Sequence, residues 1–334
     1  MLKKNNIAVI GTGSYGTALA VAIARNNNIV SLWSNNINKL NKLNISRCNT
    51  YSLPNIIFPK TLKIEFSIKN LFIKNKYIII AVPSIFLVSI INIIKPYVRD
   101  NTCIILGTKG IRYSYGELPY KVIQEKLKKN VSIAVISGPT LAMELAVGLP
   151  TAITVASSNY SLISYLKKIL HNNKIFRVYY SYDIIGVQLG GIVKNIIAIG
   201  VGISDGIGLG NNIKSVLITK GFKEIINLGI KLGAKLNTLL GISGLGDLIL
   251  TSTTNKSRNR YFGLLIAQGY NIKEAKNKVG QIIEGYYNVK TIMYLSKKHN
   301  VYMPIISAIY RILYKNKNPY RTMMALLRYV PQKE

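Results

Sequence analysis

"IAVIGTGSYGTALA", residues Ile7–Ala20, places an apolar, β-branched run directly before Gly11, Gly13 and Gly16 and an alanine-rich segment directly after them. The run reads as a buried strand and the alanine-rich segment as a helix, so the glycines occupy a strand–turn–helix junction. At G-x-G-x-x-G spacing each glycine has a separate task. Gly11 permits the tight turn, Gly13 lets backbone approach a pyrophosphate, and Gly16 allows close helix–strand packing, with the helix N-terminus facing the phosphates. The stretch therefore predicts a dinucleotide-binding βαβ unit.

The same logic extends along the first half of the chain. Candidate strands are Asn6–Ile10, Asn28–Trp33, Tyr77–Val82, Thr102–Gly107, Val131–Ser137, Thr151–Ser157 and Ile175–Tyr180, with helical periodicity over Ser84–Ile94 and Leu118–Lys128. Apolar strands alternating with helices predict a parallel, doubly wound α/β sheet covered on both faces. After Ser181 the pattern turns helical, over Ile184–Ile203, Ile213–Leu232, Ser257–Ala267, Glu284–Lys297, Pro304–Leu313 and Tyr320–Tyr329. The expected organisation is a Rossmann-type domain over residues 1–180 and an all-α-helical substrate and catalytic domain over 181–334.

Lys+Arg 44 against Asp+Glu 12 gives a formal net charge of +32, which raises the possibility of a polyanion partner. The lysines are scattered, however, and accompany abundant asparagine and isoleucine, residues that share A/T-rich codons. Genome composition accounts for the charge without a specific nucleic acid. Cys48 and Cys103 have no neighbour at metal-ligand or redox spacing, a reduced pattern with no metal site. The basic, apolar N-terminus is interrupted by "GTGSYGT", which argues against a secretory signal, and Lys194 and Asn195 split the best candidate for a membrane span. A cytoplasmic protein is expected.

The end of the second strand offers Ser34, Asn35 and Asn36 where a carboxylate would select NAD by binding the ribose 2′-hydroxyl. No arginine stands beside them and Lys39 is more distant, so NAD and NADP both remain open.

A dehydrogenase also needs a group that exchanges a proton with the carbinol oxygen. His171 and His299 lie in polar contexts, Cys48 in a polar stretch and Cys103 in a core strand. Lys194, in "LGGIVKNIIAIGVGI", is the remaining candidate. It either carries its ammonium out to water along its stem or is desolvated toward neutrality and works as an acid/base. Gly190 and Gly191, one turn before it, leave room for a small ligand. Asp247 sits among glycine and leucine in "GISGLGDLILTSTTNKSRNR", as a site carboxylate or a helix cap. Ser257, Arg258 and Asn259 offer a hydroxyl, a guanidinium and an amide, as a phosphate receptor or a basic surface turn.

With "VIGTGSYGTALA", "GTKG", "AVISGPTLAMELAVGLPTAI", "FRVYYSYDIIGVQLGGIVKNIIAIGVGISDGIGLGNN", "GLGDLILTSTTNKSRNR" and "GQIIEGYYN", the chain resembles the bacterial NAD(P)-dependent glycerol-3-phosphate dehydrogenase family over nearly its whole length. The resemblance implies reversible oxidation of sn-glycerol 3-phosphate to dihydroxyacetone phosphate for glycerophospholipid synthesis, by a two-domain homodimer using NADP or NAD. It implies Lys194 as the acid/base, with Lys109 and Asp247 beside it. Substrate contacts carry over to Lys109, Gly138, Thr140, Lys194, Asp247, Ser257, Arg258 and Asn259. Cofactor contacts carry over to Ser14, Tyr15, Lys109, Ala142, Arg258, Ile282 and Glu284. Asn35 stands near the adenosine ribose where family members often carry a basic or histidine side chain, and that departure bears on cofactor preference. Two rivals remain: a similarly built dehydrogenase acting on another small substrate, and a basic protein that binds nucleic acid or anionic lipid on a Rossmann scaffold.

Overall fold

A computed structural model of the chain describes residues 6–111, 116–127, 130–172 and 176–327. It divides into two compact units, the first closing at Thr108 and resuming over Leu118–Val187, the second formed by Lys109–Glu117 and the chain from Gln188 onward. The division falls inside a helix rather than at 180/181. It also assigns the short segment after Thr108 to the helical unit. Ile175, Lys128, Arg328 and Tyr329, expected at element ends, lie outside the described residues.

The first unit contains β1 (Asn6–Ile10), β2 (Ile29–Trp33), β3 (Cys48–Asn49), β4 (Leu53–Ile57), β5 (Leu62–Ile64), β6 (Tyr77–Ile80), β7 (Cys103–Leu106), β8 (Ser132–Ser137), β9 (Thr151–Ser157) and β10 (Phe176–Ser181). Eight of them form one sheet in the order β10-β9-β8-β7-β6-β1-β2-β5, and β3 and β4 pair separately. Strand residues alternate between two cores. Ile7 and Val9 pack with the Ser14–Arg25 and Tyr160–Leu170 helices. Ala8 and Ile10 face the Leu87–Ile94 and Pro119–Leu127 helices. β1 lies between β2 and β6, where the strand order reverses, the position at which open α/β sheets take their ligands.

The sheet is not wholly parallel. β9 runs antiparallel to β8, with Ser137 opposite Thr154, and β10 then runs parallel to β9. Between β8 and β9 the chain forms only the six-residue helix Ala142–Val147, about 9 Å long, too short to carry a crossover along the sheet face. The small strands β3, β4 and β5 were not expected, because "RCNTYSLPNII" carries polar residues and proline at an edge, where a strand signal is weak.

In the second unit, helices expected from periodicity appear over Ile184–Gly206, Gly210–Lys231, Arg258–Ala267, Glu284–Lys298, Pro304–Lys315 and Pro319–Leu327. Leu236–Leu240, Asp247–Thr253 and Ile272–Val279 are additional short helices. The Ile184–Gly206 helix is long and apolar enough to cross a membrane by length and composition, yet most of it is buried inside the fold. It is the axis of the unit. A Cβ at Gly202 would lie 1.9 Å from the Arg260 carbonyl oxygen, and one at Gly285 would lie 2.5 Å from that of Asn195. Glycines thus let two further helices approach the Lys194 helix at backbone distance.

Glu224, on the Gly210–Lys231 helix and only 5% exposed, accepts hydrogen bonds from Ile305 N–H (2.7 Å) and Ile306 N–H (3.1 Å), capping the Pro304–Lys315 helix. Burial pushes its carboxyl up to about 7, against the pull of those two bonds. The folded chain therefore holds a proton between the ordinary value of 4.5 and about 7 that the unfolded chain releases. The stability this group contributes is complete below 4.5 and is lost as pH rises through about 7. In urea melts, the wild type is expected to lose up to about 3 kcal/mol relative to Glu224→Gln across that window. A constant gap would show that Glu224 does not titrate there.

Candidate functional site

The glycine loop follows β1. Gly11 has φ +121°, and a Cβ there would lie 2.5 Å from the Ala81 carbonyl oxygen; a Cβ on Gly16 would lie 2.1 Å from the carbonyl oxygen of Gly11. These two glycines are required by the protein's own packing. Gly13 differs, because nothing lies within 4 Å of a Cβ built on it. Its bare backbone leaves open space over the loop, and no side chain caps the Ser14–Arg25 helix that follows. That combination fits a dinucleotide pyrophosphate.

The loop is held from behind by Asn49, 2% exposed, which donates to the Thr12 carbonyl (2.9 Å) and to Thr17 Oγ1 (2.8 Å). Sequence reasoning missed Asn49, since nothing in "RCNTY" marks it. Tyr15 packs beside Gly107 after β7. Beyond β2, Asn35 is exposed. Its neighbours are committed locally, Ser34 Oγ to the Asn36 N–H at 3.1 Å and Asn36 Oδ1 to the Lys39 N–H at 2.9 Å. Gly138, at the end of β8, has φ +154°, Thr140 Oγ1 donates to its carbonyl at 3.1 Å, and Ala142 opens the next helix.

In the helical unit, Lys194 is 6% exposed, so its ammonium does not escape to water along its stem. Nζ is hydrogen-bonded to Asp247 Oδ1 and, at 2.9 Å, to Thr251 Oγ1. The other carboxylate oxygen of Asp247, itself fully buried, takes Lys109 Nζ at 2.9 Å. Thr251 Oγ1 donates to the Asp247 carbonyl at 2.7 Å and so presents a lone pair to Lys194. One carboxylate is thus shared by two ammonium groups in a desolvated setting. Such a site favours a developing alkoxide.

Burial is the main cause that lowers the Lys194 ammonium from its ordinary 10.5 to about 7; Asp247 opposes the shift and Lys109 reinforces it. A group poised near neutrality can both give and take a proton at physiological pH.

Gly190 does not leave room for substrate. A Cβ on it would lie 2.5 Å from the Ser243 carbonyl oxygen and 2.8 Å from Gly244 Cα, so the space is filled by the Ile242–Gly246 turn that delivers Asp247. Gly191 contributes a carbonyl that accepts from Asn195 Nδ2 at 3.2 Å.

The Ser257–Asn259 cluster opens the Arg258–Ala267 helix. Ser257 Oγ accepts from the Arg260 N–H as the N-cap. Asn259 donates to Asn195 Oδ1 at 2.8 Å and accepts from Gly285 N–H at 3.0 Å, keeping one amide N–H in reserve. Arg258 is exposed and donates through Nη1 to Gln281 Oε1 at 2.8 Å, with further N–H donors on the same guanidinium. Arg260 belongs elsewhere, since its guanidinium is paired with Asp205 at 2.6 Å. Ile282 and Glu284 stand half-buried at the start of the Glu284–Lys298 helix. Sequence reasoning missed Thr251, Asn195 and Gln281. Thr251 follows Asp247 by one helical turn, and that i+4 spacing was the available signal.

Comparison with known proteins identifies the family across both halves of the chain. Residues 6–163 match the NAD-dependent glycerol-3-phosphate dehydrogenase N-terminus, and residues 183–324 match the C-terminus of the same family. The chain is 50% identical to a glycerol-3-phosphate dehydrogenase (NAD(P)+) of Blochmanniella pennsylvanica over 332 residues, 99% of this chain and 96% of the relative. It is 48% identical to that of Bartonella quintana, covering 96% and 95%. The crystal structure of glycerol-3-phosphate dehydrogenase from Coxiella burnetii superposes with a TM-score of 0.94 at 42% identity, covering 98% of this chain and 99% of that one. From its glycine loop to the lysine pair on Asp247, the chain belongs to the NAD-dependent glycerol-3-phosphate dehydrogenase family.

Proposed function

We propose that the chain interconverts dihydroxyacetone phosphate and sn-glycerol 3-phosphate with NAD or NADP, in the cytoplasm and as a homodimer, supplying glycerophospholipid synthesis. The observation that carries this reading is the buried Lys194–Asp247–Lys109 set, one carboxylate between two ammonium groups. We assign dinucleotide binding to a domain over residues 1–180 and proton transfer and substrate phosphate to one over 181–334.

When bound, the nicotinamide supplies or accepts the hydride. Gly11, Gly13, Ser14, Tyr15 and Gly16 would hold the pyrophosphate side, and Asn35 the adenosine ribose. The family resemblance also assigns cofactor contacts to Ala142, Lys109, Arg258, Ile282 and Glu284. In carbonyl reduction the Lys194 ammonium gives its proton to the oxygen at C2 and is left as a neutral amine. With its pKa near neutrality it reloads from solvent at modest cost. Asp247 and Thr251 keep Nζ in place, and Lys109 adds charge that favours the alkoxide as it forms. Arg258, Ser257 and the spare amide of Asn259 would take the phosphate, and the family resemblance assigns further substrate contacts to Gly138 and Thr140.

The decisive measurement is absorbance at 340 nm with dihydroxyacetone phosphate and NADH or NADPH in turn. Oxidation of either supports the proposal, and the ratio gives the preference that Asn35 leaves open. A preparation inert with both, yet active on another small ketone, would replace the substrate assignment. Size-exclusion chromatography with light scattering tests the dimer, and cell fractionation the location.

A further inference from the structure

Asn288 is fully buried on the Glu284–Lys298 helix, and its carboxamide addresses three backbone groups at once. Nδ2 donates to the Lys109 carbonyl and to the Ile192 carbonyl, each at 3.4 Å. Oδ1 accepts from the Ile111 N–H at 3.3 Å. The amide has two N–H donors and one oxygen, and all are used. The Lys109 carbonyl and the Ile111 N–H flank Gly110 in the segment that carries the Lys109 side chain, and Ile192 precedes Lys194 by two residues on its helix. One side chain therefore ties the segment bearing one lysine to the helix bearing the other.

We propose that Asn288 is a positioning residue, which sets the Lys109 ammonium against Asp247 and thereby fixes the charge that Lys194 experiences. The proposal rests on the reading of Lys194 as the acid/base. Four features carry it: complete burial, saturation of the carboxamide, contact with the backbone on either side of Gly110 directly after Lys109, and the tie to the Lys194 helix. Backbone anchored by a buried amide has no water to exchange with, so its register is held firmly. The charged groups facing Lys194 are Asp247 and Lys109, with Thr251 as the neutral partner. Lys109 depresses the Lys194 pKa through its charge and through its side-chain contact with Lys194. Releasing Lys109 removes both effects.

Asn288→Leu keeps the number and branching of the side-chain heavy atoms and deletes all three hydrogen bonds. The expected result is a fall in kcat of about 10- to 100-fold with KM for dihydroxyacetone phosphate changed far less. The pH at which reduction loses half its rate should move upward. The Lys194 titration, followed by NMR in protein labelled with 13C at lysine Cε, should move the same way without substrate or cofactor present. This second readout separates the two readings: a wild type inactive on dihydroxyacetone phosphate would sink the substrate assignment, whereas an unmoved Lys194 titration in Asn288→Leu would overturn the positioning role. If Asn288→Leu does not fold, Asn288→Ser is measured in its place with the same two outcomes. The cycle with Lys109→Met gives a third check. A double variant no worse than Lys109→Met alone supports action through Lys109, and additive losses refute it.

Discussion

Lys194→Met is expected to lower kcat for dihydroxyacetone phosphate reduction by about 10²- to 10⁴-fold, the range for loss of a positioned general acid. The melting temperature should hold or rise. At neutral pH the wild type carries the cost of holding an ammonium out of water, visible in the shift of its pKa from 10.5 to about 7. Removing it leaves Asp247 paired with Lys109 at 2.9 Å, so no buried charge is stranded. The pH dependence carries the sign of the chemistry. Reduction needs the ammonium and should fall as pH rises through about 7, whereas oxidation needs the free amine and should rise. Both limbs should be absent from the residual activity of Lys194→Met. A variant retaining turnover within tenfold of wild type would move the proton-transfer role to another residue.

Arg258→Ala is expected to reduce kcat/KM for dihydroxyacetone phosphate by about 10- to 150-fold, equivalent to losing about 1.5–3 kcal/mol of charged hydrogen bonding. Unphosphorylated dihydroxyacetone, which has nothing to offer the guanidinium, should react equally poorly with both proteins. Part of the loss should fall on kcat, because a remote phosphate anchor also aligns C2 for reaction. Arg260→Ala, two residues on, serves as the contrast: it loses the Asp205 pair and should cost stability with little effect on substrate discrimination. Equal losses on the two ketones would show that Arg258 does not bind phosphate.

Periodicity and glycine spacing revealed those parts of the molecule in which one physical demand dominates. Gly11 and Gly16 are required by backbone collisions, with Ala81 and with Gly11 in turn, and long apolar helices announce themselves by their period. Lys194 and Asp247 stood out because charge is costly in apolar surroundings. Asn49, Asn195 and Asn288 did not stand out, because an asparagine in a lysine- and asparagine-rich sequence looks like any other. Their value comes from carbonyls and amides brought close only by folding, such as Asn288 with Lys109, 179 positions apart. The reversal of β9 was hidden for a related reason. Strand direction depends on whether the intervening helix is long enough to cross the sheet, and "LAMELAVG" sits near that limit. Gly190 looked like a vacancy for substrate, and became a contact surface only once the Ile242–Gly246 turn was seen against it.

The assignment of Lys109–Glu117 to the helical unit has a bearing on recombination between relatives. A crossover between residues 182 and 187 would exchange the sheet as a block, but it would take Lys109 from one parent and Asp247, Lys194 and Asn288 from the other. The charge set at the reactive amine is therefore not inherited with either half. Chimeras joined there would test Lys109 against an unfamiliar anchoring amide, and parents that differ at position 288 would be the incompatible ones.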